Sequence, residues 1–110
     1  MSENNNRIEK VSNQVKELSA QFLGRENNRT SLITVTYANA SPDLKRATIF
    51  ITVLPTAKEH DALEFAKRKR AELRDFLKKN MPIKVIPFID IEIDKGEKNR
   101  QKIDELLREK

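Results

Sequence analysis

The side chains in this sequence that are best suited to chemistry are cations rather than nucleophiles or metal ligands. The stretch AKRKRAELR, residues 66–74, carries four cations in succession and a fifth one helical turn later: Lys67, Arg68, Lys69, Arg70 and Arg74. Guanidinium and ammonium groups pair with phosphate, so such a run can be a contact surface for a polyanion. It can equally be a solvated helix face, because acidic residues nearby dilute its charge.

An enzymatic site finds little support among the remaining residues. The single histidine, His60, lies beside Asp61 near the start of a predicted helix and is interpreted as an exposed helix residue. The chain has no cysteine, no serine in a nucleophile elbow, and only Gly24 and Gly96 from which a phosphate-binding loop could be built. The sequence therefore predicts a protein that is not an enzyme and has no cofactor.

Three carboxylates alternate along a predicted strand and raise the question of a metal site. Asp90, Glu92 and Asp94 would share one strand face, and carboxylate oxygens suit Mg²⁺ or Ca²⁺. The same spacing arises whenever one face of a sheet meets water, so we prefer a solvated face and predict no metal site.

Length and charge set further bounds. With 110 residues the chain is predicted to form one domain, residues 1–110, and to be a monomer. A net charge of +5 and a pI near 9.6 favour a polyanionic partner. No apolar run approaches the roughly 18 residues of a membrane helix, and the N-terminus has no signal-peptide pattern, so we expect a cytoplasmic protein without a membrane partner.

The first half of the chain predicts a helix and a hairpin. Apolar residues three or four apart indicate a helix over residues 7–23, preceded by a flexible N-terminus over residues 1–6. Alternating β-branched runs at 32–38 and 47–55 predict two antiparallel strands joined through turn residues at 40–46. In the first strand the alternation assigns Ile33, Val35 and Tyr37 to the buried face.

The second half predicts helix, strand and helix. Residues 58–79 are helical in composition, but a helical wheel places Lys69 on the apolar side. Either its stem reaches along the apolar surface to water or the helix is interrupted there. Pro82 ends this helix, a strand follows Pro87, and a final helix begins at residue 97. The fold class is α+β, with a three-stranded sheet covered by helices on one face.

The order of elements resembles a type II KH domain, and four segments resemble the ribosome-binding factor A family. They are RIEKV at 7–11, SPDLKRATIFITV at 41–53, ELRDFL at 72–77 and IPFIDIEID at 86–94. Their order and spacing extend the resemblance over nearly the whole chain. The resemblance implies a type II KH-like fold (α-β-β-α-kink-α-β) with a C-terminal helix over residues 97–110.

The resemblance also implies a function. It describes a ribosome assembly factor that binds the immature small (30S) ribosomal subunit and its 16S rRNA, and that supports late maturation and 5′-end processing of this RNA. A ribosome-associated GTPase is a further implied partner, and the family is associated with cold adaptation.

The sequence departs from the family at the kink between the two central helices. KH domains place Gly-x-x-Gly there, and the ribosome-binding factor family has Ala-x-Gly, whereas the aligned residues here are Lys69, Arg70 and Ala71. Without glycine, a positive φ or a bare-backbone contact is harder to form. We therefore expect the Lys69 and Arg70 side chains to make the contact.

The predicted RNA-binding residues form one principal and one secondary group. The principal group comprises Lys67, Arg68, Lys69, Arg70, Arg74, Lys78 and Lys79, and the secondary group comprises Arg7, Lys10, Lys45 and Arg46. The alternative is a KH-like protein interaction module that docks a partner through a sheet edge or helix face without contacting RNA. Salt dependence distinguishes the two hypotheses, because phosphate contacts release counterions.

Overall fold

The computed structural model describes the backbone of residues 2–26 and 31–96 and the side chains of residues 6–25 and 31–96. The elements in chain order are α1 (Ser2–Glu26), β1 (Leu32–Ala40), β2 (Arg46–Leu54), α2 (Glu59–Arg68), α3 (Arg70–Asn80) and β3 (Phe88–Ile93). A single 3₁₀ turn, Thr56–Lys58, precedes α2. The predicted C-terminal helix over 97–110 lies outside the described residues.

The three strands form one sheet in the order β1-β2-β3. β1 and β2 are antiparallel, which confirms the predicted hairpin, and β3 runs parallel to β2. A parallel neighbour requires a crossover connection, and α2 and α3 supply it. Because of this crossover, the start of β3 returns to the start of β2, where Phe88 pairs with Arg46.

The helices α1, α2 and α3 all pack on one face of the sheet. That face buries Ile49 and Ile51 of β2 and Ile89 of β3, and the core of the helical layer includes Val15 of α1 and Leu73 of α3. The opposite face carries no helix among the described residues and exposes Tyr37, with Phe50 partly exposed beside it. The predicted one-sided arrangement is confirmed.

The position of Tyr37 corrects the predicted strand pattern. The register of β1 on β2 shifts between Val35 and Tyr37, so Thr36 is an extra residue at a β-bulge. The bulge reverses the alternation: Ala38 is buried, whereas Tyr37 is 55% exposed and stacks on Phe50 on the open face, 5.8 Å between ring centroids. The simple alternation predicted Tyr37 on the buried face, and this prediction is wrong.

The first helix begins earlier than its apolar spacing predicted. The flexible N-terminus expected over residues 1–6 is helical from Ser2 onward, five residues before Arg7. Adding residues to an existing helix gains one hydrogen bond for each residue fixed, so a polar extension needs no apolar stripe of its own. Across the described residues, no helix combines the length and apolarity needed to cross a bilayer.

Two buried serines on α1 give a matched test of how the helix is attached to the sheet. The N–H of Ala40, the last residue of β1, donates a 2.9 Å hydrogen bond to Ser12 Oγ on α1. Within the described residues, the buried Ser19 Oγ has no hydrogen-bond partner. Ser12→Ala leaves a buried N–H unpaired and should lower the free energy of unfolding by about 1–3 kcal/mol.

Ser19→Ala is the control for this experiment. It removes an unpaired hydroxyl and introduces a better helix former, so we expect the free energy of unfolding to stay the same or to rise by up to about 1 kcal/mol. Urea titrations followed by circular dichroism measure both values. Equal destabilisation by the two substitutions would contradict the specific attachment through Ser12.

Candidate nucleic-acid interface

The helix interruption predicted as one of two alternatives is present at Lys69. α2 ends at Arg68, α3 begins at Arg70, and Lys69 between them has φ −91° and ψ 5°. Its N–H is shared between the carbonyls of Phe65 (3.2 Å) and Ala66 (3.1 Å). These dihedral angles belong to the bridge region, which residues with side chains can adopt. The interruption therefore forms without glycine and without positive φ.

The Lys69 and Arg70 side chains at this interruption are both partly buried. Lys69 Nζ lies 3.4 Å from the Glu72 carboxylate and 5.8 Å from the centre of the Phe65 ring. Arg70 Nε donates to the Lys67 carbonyl (3.2 Å), and Arg70 Nη1 lies 3.6 Å from Asp90 Oδ1. With 29% and 39% of their side chains exposed, Lys69 and Arg70 keep part of their cationic surface open to an external anion.

Arg74 connects α3 to the segment before β3. Its Nη2 donates to the Ile86 carbonyl (2.9 Å) and its Nε to the Pro87 carbonyl (3.3 Å). Hydrogen bonds from a charged donor are stronger than neutral ones. Arg74, predicted as an RNA contact, is thus also a positioning residue for the residues that follow Pro82.

The β1–β2 turn projects cations toward the same segment. Asp43 Oδ1 accepts hydrogen bonds from Ser41 Oγ (2.6 Å) and the Lys45 N–H (3.0 Å), which hold the pKa of this carboxyl below its ordinary value. The Lys45 carbonyl accepts a 2.8 Å hydrogen bond from the Phe88 N–H. The turn and the start of β3 are therefore joined directly.

Two clefts open around this junction. The larger, about 660 Å³, is lined by α1, the turn and the α3–β3 connection, with Arg7, Lys45 and Lys84 among its residues. The smaller, about 250 Å³, lies against α3 and is lined by Arg74, Lys78 and Lys84 among others. Lys84 borders both clefts, so cations from four chain segments (α1, the β1–β2 turn, α3 and the α3–β3 connection) line adjoining clefts.

We call this surface the basic end of the molecule. It is formed by cations on α1, the β1–β2 turn, the start of β2, the start and middle of α3, and the α3–β3 connection: Arg7, Lys45, Arg46, Arg70, Arg74, Lys78 and Lys84. The acidic residues at its border are Asp43, Asp75 and Asp90. Cations therefore predominate, and the arrangement can neutralise several phosphates at once.

The structure distributes the predicted residues unevenly relative to this surface. Arg70, Arg74, Lys78, Arg7, Lys45 and Arg46 belong to the basic end. Of these, Arg46 and Arg70 line neither cleft and are included because both lie beside the Phe88 ring at the start of β3. The remaining predicted residues lie outside the basic end: Lys67 and Lys69 are half-buried near the α2–α3 interruption, and Arg68, Lys79 and Lys10 are exposed. The sequence reasoning missed Lys84, an isolated cation in the apolar segment PIKVIP. One local signal could have indicated Lys84: it is a charged residue between two prolines, in a segment too irregular to bury a lysine side chain in a helix or strand.

The acidic and histidine alternatives have ordinary environments. Asp90 faces Arg70, Asp94 accepts a hydrogen bond from Thr36 Oγ1, and His60 is exposed. Among the described residues, no group of three metal-ligating side chains lies close enough together to hold an ion.

Comparisons with known proteins identify the family. A family model described as Ribosome-binding factor A matches residues 7–107. This chain belongs to the ribosome-binding factor A family. The ribosome-binding factor A of Paenarthrobacter aurescens is 31% identical to it over 106 residues, which are 94% of this chain and 64% of that protein. The chain thus spans slightly less than two thirds of the length of this family member.

Solved structures of the family agree with the fold. The crystal structure of ribosome-binding factor A from Thermus thermophilus has a TM-score of 0.69 at 18% identity, covering 76% of this chain and 92% of that chain. A homology model of the Thermus thermophilus factor, fitted into a cryo-EM map of its complex with the 30S subunit, has a TM-score of 0.63 at 19% identity, covering 71% and 85%. The predicted type II KH-like fold is confirmed.

The role of Arg74 in positioning the basic end is testable by substitution. Arg74→Ala removes two hydrogen bonds from a charged donor and should lower the free energy of unfolding by about 1–3 kcal/mol. Lys78→Ala, one turn further along α3, is the control and should change it by less than about 0.5 kcal/mol. Thermal and urea unfolding measure both. Equal stability of the Arg74 variant and the wild type would show that these bonds do not hold the connection.

Proposed function

We propose that this protein is a ribosome assembly factor that binds the immature small (30S) subunit through contacts of its basic end with 16S rRNA. The proposal is supported by family membership and by the complex of a Thermus thermophilus relative with the 30S subunit. The observation that carries it for this chain is Lys84, which joins the clefts under α1 and α3 into one cationic surface. RNA phosphates are the matching polyanion.

The geometry favours a positioning role over a catalytic one. The basic end offers cations, apolar side chains such as the 75% exposed Val85, and backbone, but no arrangement of base and nucleophile. A factor of this kind acts by binding energy: it stabilises one arrangement of the RNA over others. We infer that the factor binds late in subunit maturation, holds rRNA near the 5′ end while it is processed, and works as a monomer in the cytoplasm.

Release of such a factor requires a second event, because tight binding would otherwise block the mature subunit. A ribosome-associated GTPase that favours a subunit conformation with lower affinity for the factor would supply it. We also propose that the protein supports growth in the cold. Misfolded RNA structures persist longer there, and a factor that stabilises one arrangement of the RNA would counteract them.

Paired substitutions test the proposed surface. Lys45→Ala combined with Lys84→Ala removes two cations from the larger cleft, and Lys16→Ala combined with Lys58→Ala removes the same charge outside both clefts. The dissociation constant for immature small subunits should be measured by sedimentation at several salt concentrations. Each lost phosphate contact should reduce the slope of log K against log salt by about 0.7–0.9.

We expect weaker binding and a shallower salt slope for the cleft pair, with the control pair near the wild type. Binding by wild-type protein that does not respond to salt would instead favour a protein interaction module, the alternative in which no RNA is contacted. Equal effects of the two pairs would show that only total charge matters and would reject the basic end as the site.

A further inference from the structure

The open face of the sheet carries an aromatic side chain between two arginines. Phe88 is the first residue of β3 and is 49% exposed. The guanidinium carbon of Arg46, its partner on β2, lies 5.9 Å from the centre of the ring, and that of Arg70 at the start of α3 lies 5.8 Å from it. These two cations approach the ring from a neighbouring strand and from a helix.

The two arginines differ in the hydrogen-bond acceptors and carboxylates that surround their guanidinium groups. Arg70 is shared between the Lys67 carbonyl and the Asp90 carboxylate. Arg46 is exposed, and no carboxylate among the described residues forms a salt bridge with its guanidinium. Two like charges beside one half-exposed ring repel each other, and an anion between or beside them would relieve this repulsion.

The chemical class that matches this arrangement is an unpaired nucleotide. A nucleobase stacks on an aromatic ring, and its neighbouring phosphates accept hydrogen bonds from guanidinium groups. A protein partner would gain from the ring but would also need a carboxylate for Arg46, because Arg70 already faces Asp90. Phe88 adjoins the cationic clefts through its hydrogen bond to Lys45, so a strand of RNA bound there can continue onto the ring.

We propose that Phe88, flanked by Arg46 and Arg70, is a stacking platform for an unpaired base of RNA bound at the basic end. The proposal rests on the proposed function and adds a preference for single-stranded over duplex RNA. The platform is short. Further along the open face, the Tyr37–Phe50 pair lies beside Glu92, and Asp94 follows the end of β3. These two carboxylates repel phosphates, so the platform does not extend to the second aromatic pair.

Tyr37, an aromatic residue on the same face but beside the carboxylates, supplies a matched control. Phe88→Leu removes the ring but keeps an apolar side chain, and Tyr37→Leu does the same at an aromatic residue outside the platform. Fluorescence anisotropy with a labelled single-stranded RNA of about ten nucleotides and a hairpin duplex RNA measures affinity. Loss of one stacked base should weaken single-strand binding about 5- to 100-fold in the Phe88 variant. The Tyr37 variant should differ from wild type by less than about twofold, and duplex binding should not change in either.

A direct optical signal is available because the chain contains no tryptophan. Phe88→Trp keeps a stacking surface and places a single indole on the platform, so binding of single-stranded RNA should quench its fluorescence while affinity is retained. Asp90→Asn removes the carboxylate that competes for Arg70 and should tighten single-strand binding up to about fivefold.

The outcomes separate this proposal from the proposed function. If wild-type protein binds immature subunits in a salt-dependent manner but Phe88→Leu binds single-stranded RNA as tightly as wild type, the platform is rejected and the proposed function stands. If wild-type protein binds neither RNA nor subunits, both are rejected. A Phe88→Leu defect in an association that resists salt and ribonuclease would assign the ring to a protein partner and overturn the proposal.

Discussion

The basic end depends on the two hydrogen bonds that the Arg74 guanidinium donates to the carbonyls of Ile86 and Pro87. The connection that carries these carbonyls contains two prolines, Pro82 and Pro87, which have no N–H to donate to a neighbouring strand. Arg74 binds the connection through two of its carbonyls, and next to them the Phe88 N–H donates to the Lys45 carbonyl. We expect that loss of these bonds would release Lys84 from its place between the two clefts and divide the cationic surface into separate patches.

The fold explains why the cations of distant segments meet. The crossover through α2 and α3 brings β3 back parallel to β2, so both strands start at the same end of the sheet. Arg46 and Phe88 are neighbours for this reason, and Arg70 reaches them because the helix is interrupted just before it. Among the residues that the structure describes, no helix covers the other face of the sheet. The protein thus presents two adjoining surfaces, one formed by clefts with cationic borders and one formed by an aromatic ring between arginines.

Element types and order could be predicted from the sequence because apolar spacing and proline positions are local signals. The antiparallel hairpin, the one-sided sheet and the interruption at Lys69 all agree with these signals. Tyr37 could not be assigned correctly, because a bulge at Thr36 reverses the alternation without a local signal such as glycine. Lys84 was missed because its importance arises from neighbours distant in the chain. For the same reason, the prediction gave the KRKR stretch the greatest weight and treated Lys45 and Arg46 as secondary, although within that stretch Arg70 is the residue that lies beside the start of β3.

We propose that the basic end faces the small subunit. Lysine reactivity measures this directly: the protein, free and bound to immature small subunits, is acetylated briefly, and each lysine is quantified by mass spectrometry. We predict that Lys45, Lys78 and Lys84 lose reactivity on binding, whereas Lys58, exposed beyond the far end of β2, retains it. Protection of Lys58 together with unchanged reactivity of Lys45 and Lys84 would show that another surface of the protein faces the subunit.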